Sequence, residues 1–252
     1  MIKLSVIIIT LNEERNIGRC LESIQEVADE VLVVDSYSTD KTEEICRQYS
    51  VRFLQHQFDG YSQQKNWANQ QAKYPHVLSL DADEVLSEEL KTSILEIKNN
   101  WQYDAYYLNR VTQFCGRWIR HGGWSPDKKL RLWDNRLGKW EGDKVHETFV
   151  LQKDAKTTLL KGDLLHYSIN SIDQQIGQIN KFSSLKAQQD FEKGKRPSWI
   201  KICFGPPIKF LKSYIVLLGF LDGFQGFLIS ANSAHAKFLH YVKLRQLYKD
   251  NE

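Results

Sequence analysis

Residues 79–86, SLDADEVL, set an apolar strand directly against three carboxylates: Val77, Leu78 and Leu80 lead in, and Asp81, Asp83 and Glu84 follow. Acids so close together repel one another and gain nothing from burial, so the cluster asks for a cation. A D-x-D pair on a turn after a strand can aim both side chains at one hard metal ion. Mg²⁺ and Mn²⁺ favour oxygen ligands and commonly keep waters and substrate phosphates as the remaining ones. The spacing alone is weak, because most such pairs are solvated turn acids or helix caps. Glu84, Glu88 and Glu89 can serve the following helix in that structural way. What gives Asp81 and Asp83 weight is their place at the end of a strand.

A second acidic turn, DSYSTD, is framed by Asp35 and Asp40. A carboxylate at a strand end can accept from a uracil N3–H or a ribose hydroxyl; the alternative for Asp40 is to cap the helix that starts at Lys41. Neither G-x-G-x-x-G nor G-x-x-x-x-G-K-[ST] occurs, so the chain has no dinucleotide fingerprint and no P-loop. Five of the seven tryptophans lie between Trp101 and Trp140. Aromatic faces pack against sugar C–H faces, which makes Trp124 a candidate lining for an acceptor cleft; the alternative is that these rings are core.

The elements that must position these residues are legible as pattern. Residues 4–10 are a continuous apolar, β-branched run, as in a buried parallel strand. Residues 12–27 follow with helical spacing at Ile17, Leu21 and Ile24, and VLVVD (31–35) is a second buried strand. A helix opening at STDKT, a short strand at 51–54, a helix over 62–73, a strand at 76–80 and a helix capped by Ser87 and running to Asn99 complete the first hundred residues. Strands that alternate with helices predict a parallel sheet with right-handed crossovers. Ligands of such sheets bind beyond the carboxyl ends of the strands. Three of those ends are polar here: Thr10-Leu11-Asn12-Glu13, Asp35-Ser36 and Asp81-Ala82-Asp83-Glu84. The topology predicts that they meet in one crevice.

From Tyr103 to Val150 the segments DAYYLNRVTQF, KLRLW and HETFVL read as strands, and from Ser171 the chain is helical. The most apolar stretch, 208–229, is interrupted by Asp222 and two lysines and is too short to span a bilayer. Lys201, Lys209, Lys212, Lys237, Lys243 and Arg245 flank it. Basic residues around an aromatic, aliphatic helix suit a membrane interface; a packing surface or homodimer interface is the alternative use of that face.

The chain has 252 residues, 42% hydrophobic and 26% charged, which suits one globular domain with a helical appendage. A net charge of +3 is too small to argue for nucleic acid, and none is expected as a partner. The four cysteines form no CxxC pair, which points to reduced thiols in a cytosolic protein. The start, MIKLSVIIIT, lacks a long apolar region with a cleavage site and is read as a strand, not a signal peptide.

SVIIITLNEERNI, VLVVDSYSTDKT, GYSQQKNWA and VLSLDADE, in this order, resemble the family-2 glycosyltransferases of the GT-A fold. LDADE, PDKKLRLW (126–133) and KVHETF (144–149) are similar to the bacterial lipopolysaccharide-core β-1,4-glucosyltransferase group. The resemblance implies an α/β GT-A fold with a mostly parallel sheet, a small antiparallel segment and C-terminal helices. It implies a glycosyltransferase domain over 1–170, divided into a nucleotide-sugar half (1–100) and an acceptor half (101–170), with a helical region at 171–252. Carried over residue by residue, Thr10, Asn12 and Glu13 line the nucleotide pocket, Asp35 contacts the base, and Ser38, Asp40 and Lys65 lie nearby. Asp81 holds the ribose or a metal-bound water, Asp83 is the main ligand of Mg²⁺ or Mn²⁺, and His146 is a further candidate ligand.

Inverting transfer also needs a base, for which the resemblance favours Glu147, with Asp143 and then Glu141 behind it. This chain lacks the E-D pair of other family-2 enzymes, so the choice stays open. Arg131 can neutralise an acceptor phosphate or the donor diphosphate, or form a strand-surface ion pair. The implied activity is metal-dependent inverting transfer of a hexose, glucose from UDP-glucose, to a lipid-linked or lipopolysaccharide-core acceptor at the inner face of a bacterial cytoplasmic membrane. Rivals are a polyprenyl-phosphate, capsule or glycoprotein-glycan glycosyltransferase, a nucleotidyltransferase, and a non-catalytic nucleotide-sugar-binding protein. Against the nucleotidyltransferase, TLNEERNI is acidic and carries no Gly-rich basic loop.

Overall fold

A computed structural model describes residues 1–142, 147–196 and 198–251. The chain divides into two compact units: Met1–Arg110 with Asp127–Tyr167, and Val111–Pro126 with Ser168–Glu252.

The first unit begins β1 (Leu4–Thr10), α1 (Ile17–Ile24), β2 (Glu30–Asp35), α2 (Thr42–Cys46), β3 (Arg52–Gln55), α3 (Tyr61–Gln70), β4 (His76–Asp81), β5 (Glu84–Leu86) and α4 (Glu88–Asn99). β3, β2, β1 and β4 lie side by side and parallel, as the alternation of strand and helix predicts. Beyond β4 the sheet turns antiparallel, through β8 (Asp127–Asp134), β6 (Ala105–Phe114), β11 (Thr157–Ile169) and then β5. A separate hairpin pairs β9 (Gly138–Glu141) with β10 (Thr148–Leu151). The architecture is thus the expected α/β sheet, parallel over β3, β2, β1 and β4 and antiparallel beyond, with C-terminal helices.

Val6, Ile8, Leu78 and Leu80 pack one sheet face against Ile17, Leu21 and Ile24 of α1, while Ile7, Leu32 and Val34 pack the other. Both faces of the parallel strands are covered, which is why their sequences are continuous apolar runs. Trp133 and Trp140 are core, with Trp133 stacked on Phe149 at 4.0 Å. Ser87 caps α4 as expected, its hydroxyl accepting from the Leu90 N–H at 3.3 Å. α1 starts at Ile17 and not at Asn12. In the loop before it, the Asn12, Glu13 and Glu14 amides donate to the side chains of Ser38, Thr42 and Asp40.

In the second unit the end of β6 pairs with β7 (Arg117–Ile119). Three helices follow: α5 (Ile172–Glu192), α6 (Trp199–Leu211) and α7 (Gly223–Asp250). One wide turn, Lys212–Val216, and one tight turn, Gly219–Asp222, join α6 to α7. The segments Trp199–Val216 and Gly219–Asp250 meet at 73°, and no single described helix is long and apolar enough to cross a membrane. Leu218 and Gly223 take left-handed backbone at this elbow. Any side chain on Gly226 would collide with the Gly219 carbonyl, so the close approach needs glycine there.

Candidate active site

Parallel pairing sets Thr10 opposite Asp35 across β1–β2, and Ile9 opposite Asp81 across β1–β4. Adjacent strands are about 4.8 Å apart, so the three polar strand ends form one rim. This is the crevice the topology predicts.

The loops leaving β1 and β2 are stitched together by side chains. Asn12, in the left-handed region at φ 54°, accepts from the Thr39 N–H at 2.8 Å, and its own N–H donates to Ser38 Oγ at 2.8 Å. Ser38 donates through its amide and hydroxyl to the buried Asp35, at 2.8 and 2.5 Å. Asp40 accepts from the Thr42 amide and hydroxyl at the start of α2 and from the Glu14 N–H at 3.1 Å. Asn12, Asp35, Ser38 and Asp40 therefore brace the rim through bonds made within the protein.

A cleft of 360 Å³ opens at the rim, lined by Thr10, Glu13, Asp81, Asp83, Glu147 and His166. The Thr10 hydroxyl is buried without a hydrogen-bond partner among the described residues. A buried orphan of this kind suits a site whose ligand supplies the missing bond. Burial, and after it the charges of Asp83, Asp40 and Asp81, hold the Glu13 carboxyl above the usual range despite its bond from Asn16. The cleft is rich in negative charge.

The three acids of DADE differ sharply in environment. Glu84 is fully buried; it accepts from Arg131 Nη2 at 2.6 Å and from the Asp81 N–H at 3.0 Å. It opens β5 opposite His166 of β11 and does not serve the following helix, which corrects the expectation for it. Asp81 receives Arg131 Nη2 at 2.5 Å on one oxygen and Lys65 Nζ at 3.0 Å on the other. Burial pushes its carboxyl up, but the Arg131 and Lys65 charges outweigh that and hold it far below the usual range. Asp83 is left facing the cleft, its Oδ2 3.2 Å from His166 Nε2.

Arg131 is 4% exposed and so is no strand-surface ion pair; its Nη2 is held by Asp81 and Glu84, while the residue also lines a second cleft. Lys65, 2% exposed, bridges Asp81 and Glu147 at 3.0 Å each, with its ammonium 4.6 Å from the Trp140 ring centre. α3 is anchored there because the Asn66 amide pairs with both the N–H and C=O of Trp140, at 2.8 Å each. Glu147 sits immediately before β10. Glu141, at the end of β9, pairs with Lys139 at 3.1 Å and lines neither this cleft nor its neighbour. Asp143 and His146 lie outside the described residues. Trp124 belongs to the second unit, half-buried and edge-on to Phe114 beside an apolar cluster, and it lines neither the cleft at the rim nor its neighbour.

A second cleft, of 450 Å³, shares Asp81 and Glu147 with the first; its lining combines Arg110, Lys128, Lys129 and Arg131 with Tyr107, Leu130, Trp140, Thr148 and Phe149. Arg110 and Lys129 both reach Asp127, at 2.8 and 3.1 Å, while Lys128 has no ion-pair partner among the described residues. Sequence reasoning missed Arg110 and His166. Both sit on antiparallel strands whose partners are remote in sequence; alternation in TTLLKGDLLHYSI marks a strand but not what it faces.

An α/β sheet with an acid-lined cleft at its parallel strand ends is the architecture of a ligand-binding enzyme domain. The Glycosyl transferase family 2 model matches residues 5–156. The chain belongs to glycosyltransferase family 2, and it is an enzyme of that class. It is 34% identical over 255 residues to the lipopolysaccharide core biosynthesis glycosyltransferase LpsC of Rhizobium meliloti, covering 96% of this chain and 92% of that one. It is also 34% identical to an uncharacterised glycosyltransferase of Rickettsia typhi, covering 98% of this chain and 88% of the relative. Its fold is shared with the mannosyltransferase PcManGT of Pyrobaculum calidifontis, solved with GDP-Man and Mn²⁺. There the TM-score is 0.55 at 14% identity, with 100% of this chain and 88% of that chain covered. Family membership removes the nucleotidyltransferase and the non-catalytic binder as readings.

The donor set fits a hard or borderline divalent cation held jointly with a substrate. Asp83 and His166 offer one carboxylate and one imidazole in mutual contact, and the described residues contain no cluster of three or more ligands that would hold a metal by itself. A two-ligand site completed by a diphosphate is a familiar arrangement for Mg²⁺ and its relatives.

Proposed function

We propose that this glycosyltransferase moves a hexosyl group, glucose from UDP-glucose, with inversion onto a hydroxyl of a lipopolysaccharide-core or other lipid-linked glycan. One observation carries the mechanism: Asp81 and Glu147 line both clefts, so a base at Glu147 faces donor and acceptor together. The similarity to LpsC supports the acceptor class. On this reading the donor cleft draws mainly on residues up to about 100, joined by Glu147 and His166, and the acceptor cleft mainly on residues 107–149, joined by Asp81.

The nucleotide lies against Thr10 and Glu13, in loops kept rigid by Asn12, Asp35, Ser38 and Asp40. Asp83 and His166 would hold Mg²⁺ or Mn²⁺, which when bound would offset negative charge on the leaving diphosphate. Glu147 accepts the proton of the acceptor hydroxyl as that oxygen bonds to the anomeric carbon. The bond from anomeric carbon to diphosphate breaks, and its electron pair leaves with the nucleoside diphosphate. Lys65 and Arg131 fix Asp81 and Glu147 between the clefts, supplying the positioning on which such catalysis depends. Arg110, Lys128 and Lys129 favour an acceptor that carries phosphate or carboxylate.

The test is Glu147→Gln. Turnover falls by about 10²- to 10⁴-fold while UDP binding, measured by calorimetry, stays within about threefold of wild type. Full turnover in this variant moves the role of base elsewhere.

A further inference from the structure

The second unit carries an apolar surface that folding leaves uncovered. At the elbow between α6 and α7, Ile215, Val216, Leu218, Leu221 and Phe224 are each between 45% and 70% exposed. The stripe extends back along α6 through Ile200, Phe204 and Ile208, four residues apart and therefore on one helical face. An apolar patch of this extent marks an interaction site.

Two further features identify the occupant. The sequence from 199 to 249 holds seven lysines and arginines and one acid, Asp222. That acid is turned inward. It accepts from the N–H groups of Arg120 and His121 at 3.1 and 2.8 Å and meets His121 Nδ1 at 3.0 Å, and it is 4% exposed. Of the cations, Lys243 is committed to Asn180, Ser183 and Ser184, and Arg245 to the face of Trp199 at 3.8 Å. Lys201, Lys209, Lys212 and Lys237 have no ion-pair partner among the described residues; the first three lie on the segment that carries the apolar stripe, and the Lys237 side chain reaches α6 beside Gly205. Burial, and after it the like charges of Lys212 and Lys237, hold the Lys209 ammonium below its ordinary value. A second copy of this chain on a two-fold axis would set one lysine-rich patch against another and offer no acid to pair with it. An anionic lipid surface neutralises them and covers the apolar stripe in one event.

We infer that the elbow enters the apolar layer of one membrane leaflet without spanning it, while Lys201, Lys209, Lys212 and Lys237 bind anionic headgroups. The inward turn of Asp222 is what makes entry feasible, since it removes the only carboxylate from the entering surface. This inference rests on the second unit alone and stands apart from the catalytic reading.

The experiment is sedimentation of the full chain with vesicles of phosphatidylcholine and phosphatidylglycerol, or of phosphatidylcholine alone, at low and high salt. The expected result is at least about tenfold stronger binding to the anionic vesicles, weakened by salt. Val216→Asp with Leu221→Asp should lower that binding about tenfold or more, with the circular dichroism spectrum and thermal unfolding midpoint unchanged. A separate Val216→Trp variant should show blue-shifted emission, quenched by lipids brominated in the acyl chain. Unaltered binding by the double aspartate variant, emission at 216 that is not quenched, or no vesicle binding by the wild-type chain would each overturn the inference. A wild-type dimer that the double variant converts to monomer, without vesicle binding, would assign the surface to a second copy instead.

Discussion

The two units solve opposite problems. In the first, charged groups are buried: Lys65, Glu84 and Arg131 lie almost wholly out of solvent, and each is answered by an opposite charge within 3.0 Å. In the second, apolar groups are exposed, and no described residue covers them at the elbow. Buried charge is costly unless paired, and exposed apolar area is costly unless covered. The first unit meets its cost internally, which yields a fixed constellation suited to catalysis. The second defers it, which yields a surface suited to a partner. A core chosen for stability alone would do neither.

The largest effect on stability should come from breaking a pair in the first unit. Arg131→Met leaves Asp81 and Glu84 without their shared cation, and unfolding by urea should show a loss of about 3–5 kcal/mol. Arg131→Lys should recover part of it, because one charge returns without the fork.

Asp29 gives a smaller effect with a pH signature. Burial pushes its carboxyl up, but bonds from Lys98, Lys3 and the Leu4 N–H outweigh that and hold it at about 2, against 3.8 unfolded. A carboxyl lowered in the folded state stabilises fully above its unfolded value, and the contribution fades as pH falls toward the folded one. Asp29→Asn should therefore cost about 2 kcal/mol at pH 7, and the gap to wild type should close between roughly pH 4 and pH 2. A gap independent of pH would mean that the packing of Asp29, and not its charge, holds Leu4 and Lys98 in place.

The smallest stability effect belongs to the second unit. Val216→Asp sits at an exposed position, 70% accessible, and should change the unfolding free energy by no more than about 0.5 kcal/mol in the absence of lipid. A loss of several kcal/mol would show that the elbow is packed in solution, and the contrast between the units would fail.

Much of the first unit was legible because its signals are local. A continuous β-branched run gives β1 its observed bounds, Leu4–Thr10, and Ser87 reads as a cap from the residues that follow it. Asp81 and Asp83 stand out because strand ends in a parallel sheet are where polar residues can meet. What stayed hidden depends on pairing between distant segments. Glu84 looks like a helix-start acid until β8 brings Arg131 onto it. His166 looks like any strand residue until β11 lies against β5 and sets it beside Asp83. The late start of α1 follows from Ser38, Asp40 and Thr42, which take the amides of Asn12, Glu14 and Glu13 from another loop. In the second unit, composition suggested an apolar surface, but the inward turn of Asp222 and the commitment of Lys243 and Arg245 needed coordinates.

The most direct measurement is nucleoside-diphosphate release from a panel of nucleotide sugars, with and without Mn²⁺ or Mg²⁺, by the wild-type chain and by Asp83→Ala. The account predicts release from UDP-glucose that requires the divalent ion and falls by about 10²-fold or more in the variant. Equal, metal-dependent release by Asp83→Ala would contradict the assignment of the DADE turn as the site where donor and metal meet.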